Sequence, residues 1–363
     1  MRRRGLLATL TAALAGAAVA AASAETVKVG VILTYSGPQA SLGGQIDKGI
    51  ALYVKEHASD LPPGVTLELV RRDDTFRADV AKRLAQELIT RDHVRILAGV
   101  VGTPAANAIA PLTAEAKIPF VVMNAAGVTT TRLSPYVARV SFTHWQLSLP
   151  LGRWAADHLG KRGMTLVSDF QPGYDGEAGF AKGFKDAGGE IVGALRMPVI
   201  NLDFAPFLQR VKDAKPDVLY VFVPAGQEAT ALMKAYADLG LKAAGIKLVG
   251  PQDIVTDEEL PNMGDAPLGI VTAANYSAAA TRPANQQFIA AWRRDYGDAL
   301  APNFFSVQGW DGMDAIFAVI KATKGEVTGD AAMKVLTGWK SDASPRGPIM
   351  IDPETRDIIE NVY

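Results

Sequence analysis

The chain has 363 residues, which is long enough for two domains rather than one core. Its 37 Lys and Arg against 38 Asp and Glu leave a formal net charge of -1, which gives no electrostatic reason to bind nucleic acid or an anionic membrane surface. The absence of cysteine from the sequence excludes disulfides, thiolate catalysis, cysteine metal sites and a lipid anchor on an N-terminal cysteine.

The first 24 residues have the pattern of a secretory signal peptide. Arg2, Arg3 and Arg4 precede an uncharged apolar stretch over 5–22, and Ala22-Ser23-Ala24 supplies a small-x-small cleavage site. A stretch of this length is at the lower limit for a bilayer span, so cleavage after residue 24 is favoured over a membrane anchor. An exported protein without an anchor is expected in the periplasm.

Short apolar runs alternate with amphipathic helical patterns along the rest of the chain. The β-branched run at 27–33 predicts a buried strand, 45–57 a helix, and 66–70 the next strand. A helix at 78–91 places Val80, Leu84 and Leu88 on one face. Further strands are predicted at 96–98, 120–122, 165–167, 218–223 and 247–249, and further helices at 204–211 and 232–239. This alternation predicts an α/β fold of doubly wound parallel sheets with helices on both faces.

Ligands of doubly wound sheets bind where strands end and loops open into helices. Three such junctions, at 34–38, 99–104 and 124–131, are rich in small and hydroxyl-bearing residues. In the second, Thr103 is a candidate helix N-cap and Pro104 the first helical residue. Any one of these junctions is explained by ordinary turns and caps. Three together favour a carboxylate site built from backbone N–H groups at helix N-termini.

Motifs for catalysis are absent from the sequence. The histidines at 57, 93, 144 and 158 form no HExxH or other close ligand pair, and there is no G-x-S-x-G, P-loop or G-x-G-x-x-G motif. Asp73 and Asp74 are neighbours on a strand and point to opposite faces, so solvated carboxylates are favoured over an acid–base pair. We therefore expect no enzymatic activity, no metal and no cofactor.

The order and spacing of the motifs resemble the leucine/isoleucine/valine-binding family, the type I periplasmic solute receptors of ABC importers. The resemblance covers the chain after residue 24 and rests on 29–38 with Gly43, 73–75, 99–104, 124–131, 173–176 and 248–253. It implies two doubly wound parallel-sheet lobes joined by a three-stranded hinge, with the ligand enclosed between them. Lobe 1 would hold 25–142 and 275–342, and lobe 2 would hold 143–274 and 343–363. The arms of a C-terminal hairpin are expected at 348–351 and 361–363.

The resemblance also implies a binding site and partners. The backbone around Thr103 and Ala126-Gly127 would hold the ligand's carboxylate, and Tyr174 would close over it from the other lobe. The implied partners are a small carboxylate and an ABC permease with its ATPase, with a monomeric receptor and no nucleic acid. The expected ligand-binding residues are Ser36, Leu42, Gly102, Thr103, Asn124, Ala125, Ala126, Gly127, Phe170, Tyr174, Ala225, Gln252 and Asp253.

Departures from the family's pattern bear on the ligand. Amino-acid binders commonly carry a glutamate for the α-ammonium where this chain has Gln252, with Asp253 beside it. Leu42 and Ala225 stand where such members carry aromatic residues, which would enlarge an apolar pocket between Phe170 and Tyr174. Because a buried ammonium needs an ionised partner, either Asp253 replaces the missing charge or the ligand has no amine. A hydrophobic amino acid and an aromatic acid such as a benzoate both remain open, as does a sensor role that feeds a signalling partner.

Overall fold

The structure is a computed structural model that describes residues 25–199 and 203–363. The predicted signal peptide, residues 1–24, lies outside the described residues. Within the described ranges, none of the helices combines the length and the apolar character that crossing a membrane requires.

The first sheet has five parallel strands in the order β2-β1-β3-β4-β5. Its strands are β1 (Glu25–Leu33), β2 (Val65–Asp73), β3 (Ile96–Gly99), β4 (Phe120–Val122) and β5 (Val137–Arg139). The helices that follow them in this half are α1 (Ala40–His57), α2 (Ala78–Thr90) and α3 (Thr103–Ala116). We call this sheet and the helices packed on it the first lobe.

The second sheet also has five parallel strands, in the order β10-β9-β8-β6-β7. Its strands are β6 (Arg162–Ser168), β7 (Glu190–Met197), β8 (Val218–Phe222), β9 (Lys247–Pro251) and β10 (Val271–Ala273). Its helices are α4 (His144–His158), α5 (Gln171–Asp186), α6 (Ala205–Ala214), α7 (Gln227–Asp238) and α8 (Leu260–Met263). This sheet with its helices is the second lobe.

The chain then returns to the first lobe. Three helices follow, α9 (Pro283–Tyr296), α10 (Phe304–Thr323) and α11 (Gly329–Leu336), and both α9 and α10 pack against α1. A small antiparallel sheet ends the chain, with β11 (Lys340–Ser341), β12 (Ile349–Ile351) and β13 (Ile358–Ile359). The predicted α/β fold with two doubly wound parallel-sheet lobes is confirmed, and the third sheet of the described residues is three-stranded and antiparallel. The exact lobe boundaries stay a prediction.

Each parallel sheet is covered on both faces because successive side chains of a strand point to opposite sides. In β3, Ile96 and Ala98 join the large central core, whereas Leu97 packs with α2 and α3 in a separate cluster. The second sheet divides its side chains in the same way between the central core and a cluster with α6 and α7. Strands buried on both faces read as continuous apolar runs, which is the pattern seen at 27–33.

The two sheets repeat one topology. Each sheet has an edge strand, β2 in the first lobe and β7 in the second, that is the second strand of its lobe in the sequence. The strand beside it, β1 or β6, is the first in the sequence, and the other three strands follow in chain order. In such a sheet the order reverses between the first and third strands in sequence, and this switch point opens a crevice at the carboxyl edge. The crevices lie between β1 and β3 in the first lobe and between β6 and β8 in the second.

The segments that cross between the lobes meet at a buried ionic cluster, which we call the hinge cluster. Arg346 is 2% exposed and donates to Asp311 at 2.8 Å, to Glu360, and to the carbonyl of Ser141 at 2.9 Å. Asn275 Nδ2 also donates to Glu360, at 2.9 Å. Since two carboxylates share one guanidinium, the cluster holds an excess of acidic groups.

Some local expectations are wrong. The second hairpin arm is Ile358–Ile359 rather than 361–363, because Tyr363 instead exchanges backbone hydrogen bonds with Ala274. Gly102, not Thr103, is the N-cap of α3. Asp74 is buried and accepts from the Thr34 hydroxyl at 2.6 Å, so it is not solvated.

Candidate functional site

A cavity lies where the carboxyl edges of the two sheets face each other. The loops that line it follow β1, β2, β3 and β4 in the first lobe and β6, β8 and β9 in the second. Of the predicted residues, those that line this cavity are Leu42, Gly102, Thr103, Asn124, Ala126, Phe170, Ala225 and Asp253.

Thr103 forms the polar part of the first-lobe wall. It is the first residue of α3 and is 1% exposed. Its hydroxyl oxygen accepts a hydrogen bond from the Gly127 amide at 3.1 Å, which leaves the hydroxyl proton to be donated to a ligand. The N-terminus of a helix carries a partial positive charge and backbone N–H groups. This wall therefore suits an anion.

The backbone that presents Thr103 is held in an uncommon conformation. Val100 has a φ of 56°, in the left-handed region that β-branched residues rarely adopt. Its amide donates to the carbonyl of Ile32 at 2.7 Å, and the Asn124 side chain donates to the carbonyl of Val101 at 2.8 Å. These bonds fix the loop against the strain of that φ, and such strain is often found at binding sites.

Arg139 supports the neighbouring loop from behind the cavity. Its guanidinium is fully buried and donates to the carbonyls of Gly127 at 2.6 Å and Phe142 at 3.1 Å. It also pairs with Asp357 at 3.1 Å. The charge is thus neutralised locally, while the guanidinium sets the position of the Gly127 backbone that contacts Thr103.

The second-lobe wall is aromatic. The rings of Phe170 and Phe222 stack with centroids 5.8 Å apart, and His144 lies 4.2 Å from Phe222. Burial, together with the charge of Arg139, lowers the pKa of His144 to about 3, so its imidazole is neutral at physiological pH. This wall offers flat apolar surface to a ligand and no positive charge.

Asp253 is the acidic group of the cavity. It lies in the turn after β9, is 6% exposed, and its Oδ2 has no hydrogen-bond partner among the described residues. Burial raises its pKa to about 7. Among the described residues that line the cavity there is no lysine or arginine to offset it.

The other predicted site residues lie outside the cavity lining. The Ser36 hydroxyl donates to Asp73 at 2.6 Å, and the Ala125 amide donates to the carbonyl of Val100. Gly127 contributes its amide to Thr103 rather than to the cavity.

Two further expectations about side chains are corrected. Tyr174 does not close over the cavity, because its hydroxyl donates to Asp169 at 2.7 Å and its ring lies under the guanidinium of Arg196. Phe170 stacks on Phe222 instead of forming a sandwich with Tyr174. The Gln252 side chain accepts from the backbone amide of Asn275 at 3.0 Å and so faces a crossing segment.

Six lining residues were not expected from the sequence, namely Phe76, Val101, His144, Pro172, Phe222 and Pro224. Phe222 ends a buried strand, and an apolar residue there cannot be distinguished from core by its pattern. His144 carried one available signal, since it follows a crossing segment and begins α4. The position of a residue at the end of a strand therefore predicted cavity lining better than its residue type did.

Hydrogen bonds between the lobes hold the cavity closed. The Gln39 side chain donates to Glu228 at 3.0 Å, and the Val128 amide donates to Asp175 at 2.9 Å. Burial raises the pKa of both carboxyls. The structure is therefore a closed state in which second-lobe acids accept from first-lobe donors.

Comparisons with known proteins agree with this architecture. A family model described as periplasmic binding protein matches residues 26–363. The chain is 42% identical over 348 residues to Leu/Ile/Val-binding protein homolog 6 of Brucella melitensis biotype 1. The aligned region covers 95% of this chain and 88% of the relative.

Two solved structures are also similar. A solute-binding protein of an ABC transporter from Rhodopseudomonas palustris BisB5, in complex with 3,4-dihydroxybenzoic acid, is 48% identical with a TM-score of 0.89, covering 93% of this chain and 92% of that one. One from R. palustris in complex with 4-hydroxybenzoate is 42% identical with a TM-score of 0.90 and the same coverage. With the family model matching nearly the whole described chain, this protein belongs to the periplasmic binding protein family.

Proposed function

We propose that the chain is the ligand receptor of an ABC importer and that its ligand is a small aromatic carboxylate. The observation that carries this proposal is one cavity with two unlike walls, an anion-favouring helix N-terminus at Thr103 and an aromatic face at Phe170 and Phe222. A benzoate-type acid has the same two parts, a carboxylate and a flat ring. The hydroxybenzoate complexes of the two R. palustris relatives support this ligand class.

The charges in the cavity set the direction of the ligand. The N-terminus of α3 attracts a carboxylate, whereas none of the described residues that line the cavity is a lysine or arginine that would hold one beside Asp253. The ligand's carboxylate therefore accepts from the Thr103 hydroxyl, and its ring extends toward the second lobe and packs against the stacked rings of Phe170 and Phe222. Offset or edge contacts among aromatic rings add to the free energy of burying them.

An amino acid is the competing ligand, and the Brucella relative is named for leucine, isoleucine and valine. An α-ammonium would need an ionised carboxylate within the cavity. Gln252 is neutral and turned toward Asn275, so Asp253 alone among the described lining residues could serve. Its burial opposes the ionisation that this role requires. The site thus favours an acid without an amine.

Transport follows from the difference between open and closed states. A ligand shifts the lobes toward closure only by the amount that it binds the closed state more tightly. We expect a monomer, exported to the periplasm after removal of residues 1–24, that delivers its ligand to a permease driven by an ATPase. No chemical conversion of the ligand is expected.

Thermal unfolding of ligand-free, refolded protein tests the proposal. Benzoate, 4-hydroxybenzoate, 3,4-dihydroxybenzoate, leucine and phenylalanine are added separately. A ligand at about 1,000 times its Kd adds roughly 4 kcal/mol to the stability, which raises the Tm by several degrees. A shift with the aromatic acids supports the proposal. A shift with leucine alone would refute the aromatic ligand and make Asp253 the partner of an ammonium.

A further inference from the structure

Asp253 differs from the other buried acids of the cleft. Glu228 and Asp175 both accept hydrogen bonds from the first lobe in the closed state. Asp253 is buried to a similar degree and lines the cavity, yet Oδ2 has no partner among the described residues. Buried polar side chains are rarely left without a partner, since the lost hydration is costly. Asn124 Oδ1 and His144 Nδ1, at the same cavity, also have no partner among the described residues. A ligand in the cavity would supply partners to these groups, and Asp253 is the acid among them.

The chemistry of that partner is limited by the rest of the cavity. It must be a hydrogen-bond donor or a group that both donates and accepts, because no lysine or arginine among the described lining residues could hold a second carboxylate there. It must lie on the far side of the ligand from its carboxylate, since Thr103 belongs to the first lobe and Asp253 to the second. A hydroxyl on an aromatic ring, remote from the carboxylate, meets both conditions.

We propose that Asp253 hydrogen-bonds a ring hydroxyl of the ligand and so selects hydroxybenzoates over unsubstituted benzoate. This inference rests on the proposed function and names the substrate class more closely. Thr103 binds one end of the ligand and Asp253 the other, so the hydroxyl contact forms fully when the lobes close. The contact thereby couples recognition of the hydroxyl to closure.

The surroundings of Asp253 favour the neutral form of its carboxyl. The titratable groups near it are His144, which is neutral, and Tyr220 of β8, whose pKa is raised by burial. On the buried side of α7, which packs against the turn of Asp253, lies Glu228. None of these is a cation, and the bound carboxylate adds a further negative charge. A protonated Asp253 can donate to and accept from the hydroxyl at once.

Calorimetric titration of the wild-type protein and two variants tests the proposal. In the wild type, 4-hydroxybenzoate should bind at least roughly tenfold more tightly than benzoate, the effect of one buried hydrogen bond. In Asp253→Ala that preference should disappear while benzoate still binds. Asp253→Asn keeps a neutral donor and acceptor and should retain the preference. Asp238→Asn, an exposed acid on α7, serves as the control for loss of charge.

A pH series separates this role from a merely structural one. Wild-type affinity for 4-hydroxybenzoate should fall as pH rises from 6 to 8 because Asp253 loses its proton, and in Asp253→Asn the profile should be flat. If the wild type binds benzoate and 4-hydroxybenzoate equally, the inference is overturned and the proposed function stands. If neither acid binds, the proposed function itself fails. The wild-type affinities for benzoate and 4-hydroxybenzoate test the inference even if the alanine variant does not fold.

Discussion

Gln39 and Glu228 are joined by a hydrogen bond of 3.0 Å that runs from one lobe to the other. Gln39 immediately precedes α1 and Glu228 lies in the first turn of α7. Both side chains are buried, although neither lines the cavity. The bond contributes to the closed state without contacting the ligand, so it can be altered without altering the ligand's own contacts.

Replacing Glu228 by alanine should weaken ligand binding by roughly tenfold, the effect of one buried hydrogen bond to a charged group. The Tm of the ligand-free protein should change little because opening the lobes breaks this bond in any case. Titration calorimetry and thermal unfolding measure the two quantities. Glu190→Ala, at an exposed position on β7, is the control. An unchanged affinity would show that Glu228 does not stabilise closure.

Thr103→Val should reduce the affinity for 4-hydroxybenzoate by about tenfold to a hundredfold, since a hydrogen bond to a charged group is lost. Thr103→Ser keeps the hydroxyl and should remain near wild type. Thr90→Val, at an exposed position at the end of α2, controls for removal of a surface hydroxyl. Equal loss in the valine and serine variants would mean that packing of the threonine methyl group, not the hydroxyl, matters.

Gly49 and Gly44 lie on the same helix but in different surroundings. A Cβ on Gly49 would lie 1.9 Å from the carbonyl oxygen of Ser306, because α1 and α10 cross closely there. Gly49→Ala should therefore destabilise the protein by about 1–3 kcal/mol or more. Gly44 meets nothing nearer than Lys48 Nζ at 3.8 Å, and Gly44→Ala should stabilise the helix by roughly 0.5–1 kcal/mol. Urea unfolding of both variants checks the opposite signs.

The hinge cluster should make stability depend on pH. Burial raises the pKa of Glu360 to about 7, above its value of 4.5 in an unfolded chain. A raised carboxyl pKa means that the folded state holds the proton more tightly, so this group's contribution is complete below about pH 4.5 and declines as pH rises toward 7. Glu360→Gln should remove that decline, which urea unfolding across this pH range measures. If the stability of the wild type and of Glu360→Gln declined in parallel with pH, Glu360 would not be the group that causes the decline.

Removing the cation of the same cluster should have a larger effect. Arg346→Met leaves Asp311 and Glu360 buried without their shared partner. Breaking a buried ion pair in this way costs about 3–5 kcal/mol. Denaturant unfolding should show that loss, whereas the double variant Arg346→Met with Glu360→Gln should recover part of it. No recovery would mean that Asp311, not Glu360, is the group left uncompensated.

The fold could be predicted from the sequence because strands buried on both faces leave uninterrupted apolar runs. Strand-end loops then located Thr103, Leu42 and Ala225 at the cavity. Strands β5, β7 and β10 were not predicted from the sequence. The three residues of β5 and of β10 carry little periodicity, and only two of the eight residues of β7 are buried.

The direction of single side chains was harder to predict. Gln252 and Asp253 are adjacent in one 3-10 turn, yet Asp253 faces the cavity and Gln252 faces Asn275. Tyr174 was misplaced for a similar reason, because the partners that hold it, Asp169 and Arg196, lie at a strand end and on a neighbouring strand. Such choices depend on packing between elements and leave no mark in local sequence.

The shared strand order of the two lobes has a consequence for how the ligand is oriented. A repeated scaffold presents corresponding junctions from both sides, the one after β3, which contains Thr103, and the one after β8, which contains Ala225. If the side chains repeated as well, a ligand could enter in either of two opposed orientations. Because the first-lobe junction brings the Thr103 hydroxyl to the cavity and the second-lobe junction brings only Pro224 and Ala225, this near-symmetry is broken, and the bound molecule has a head and a tail.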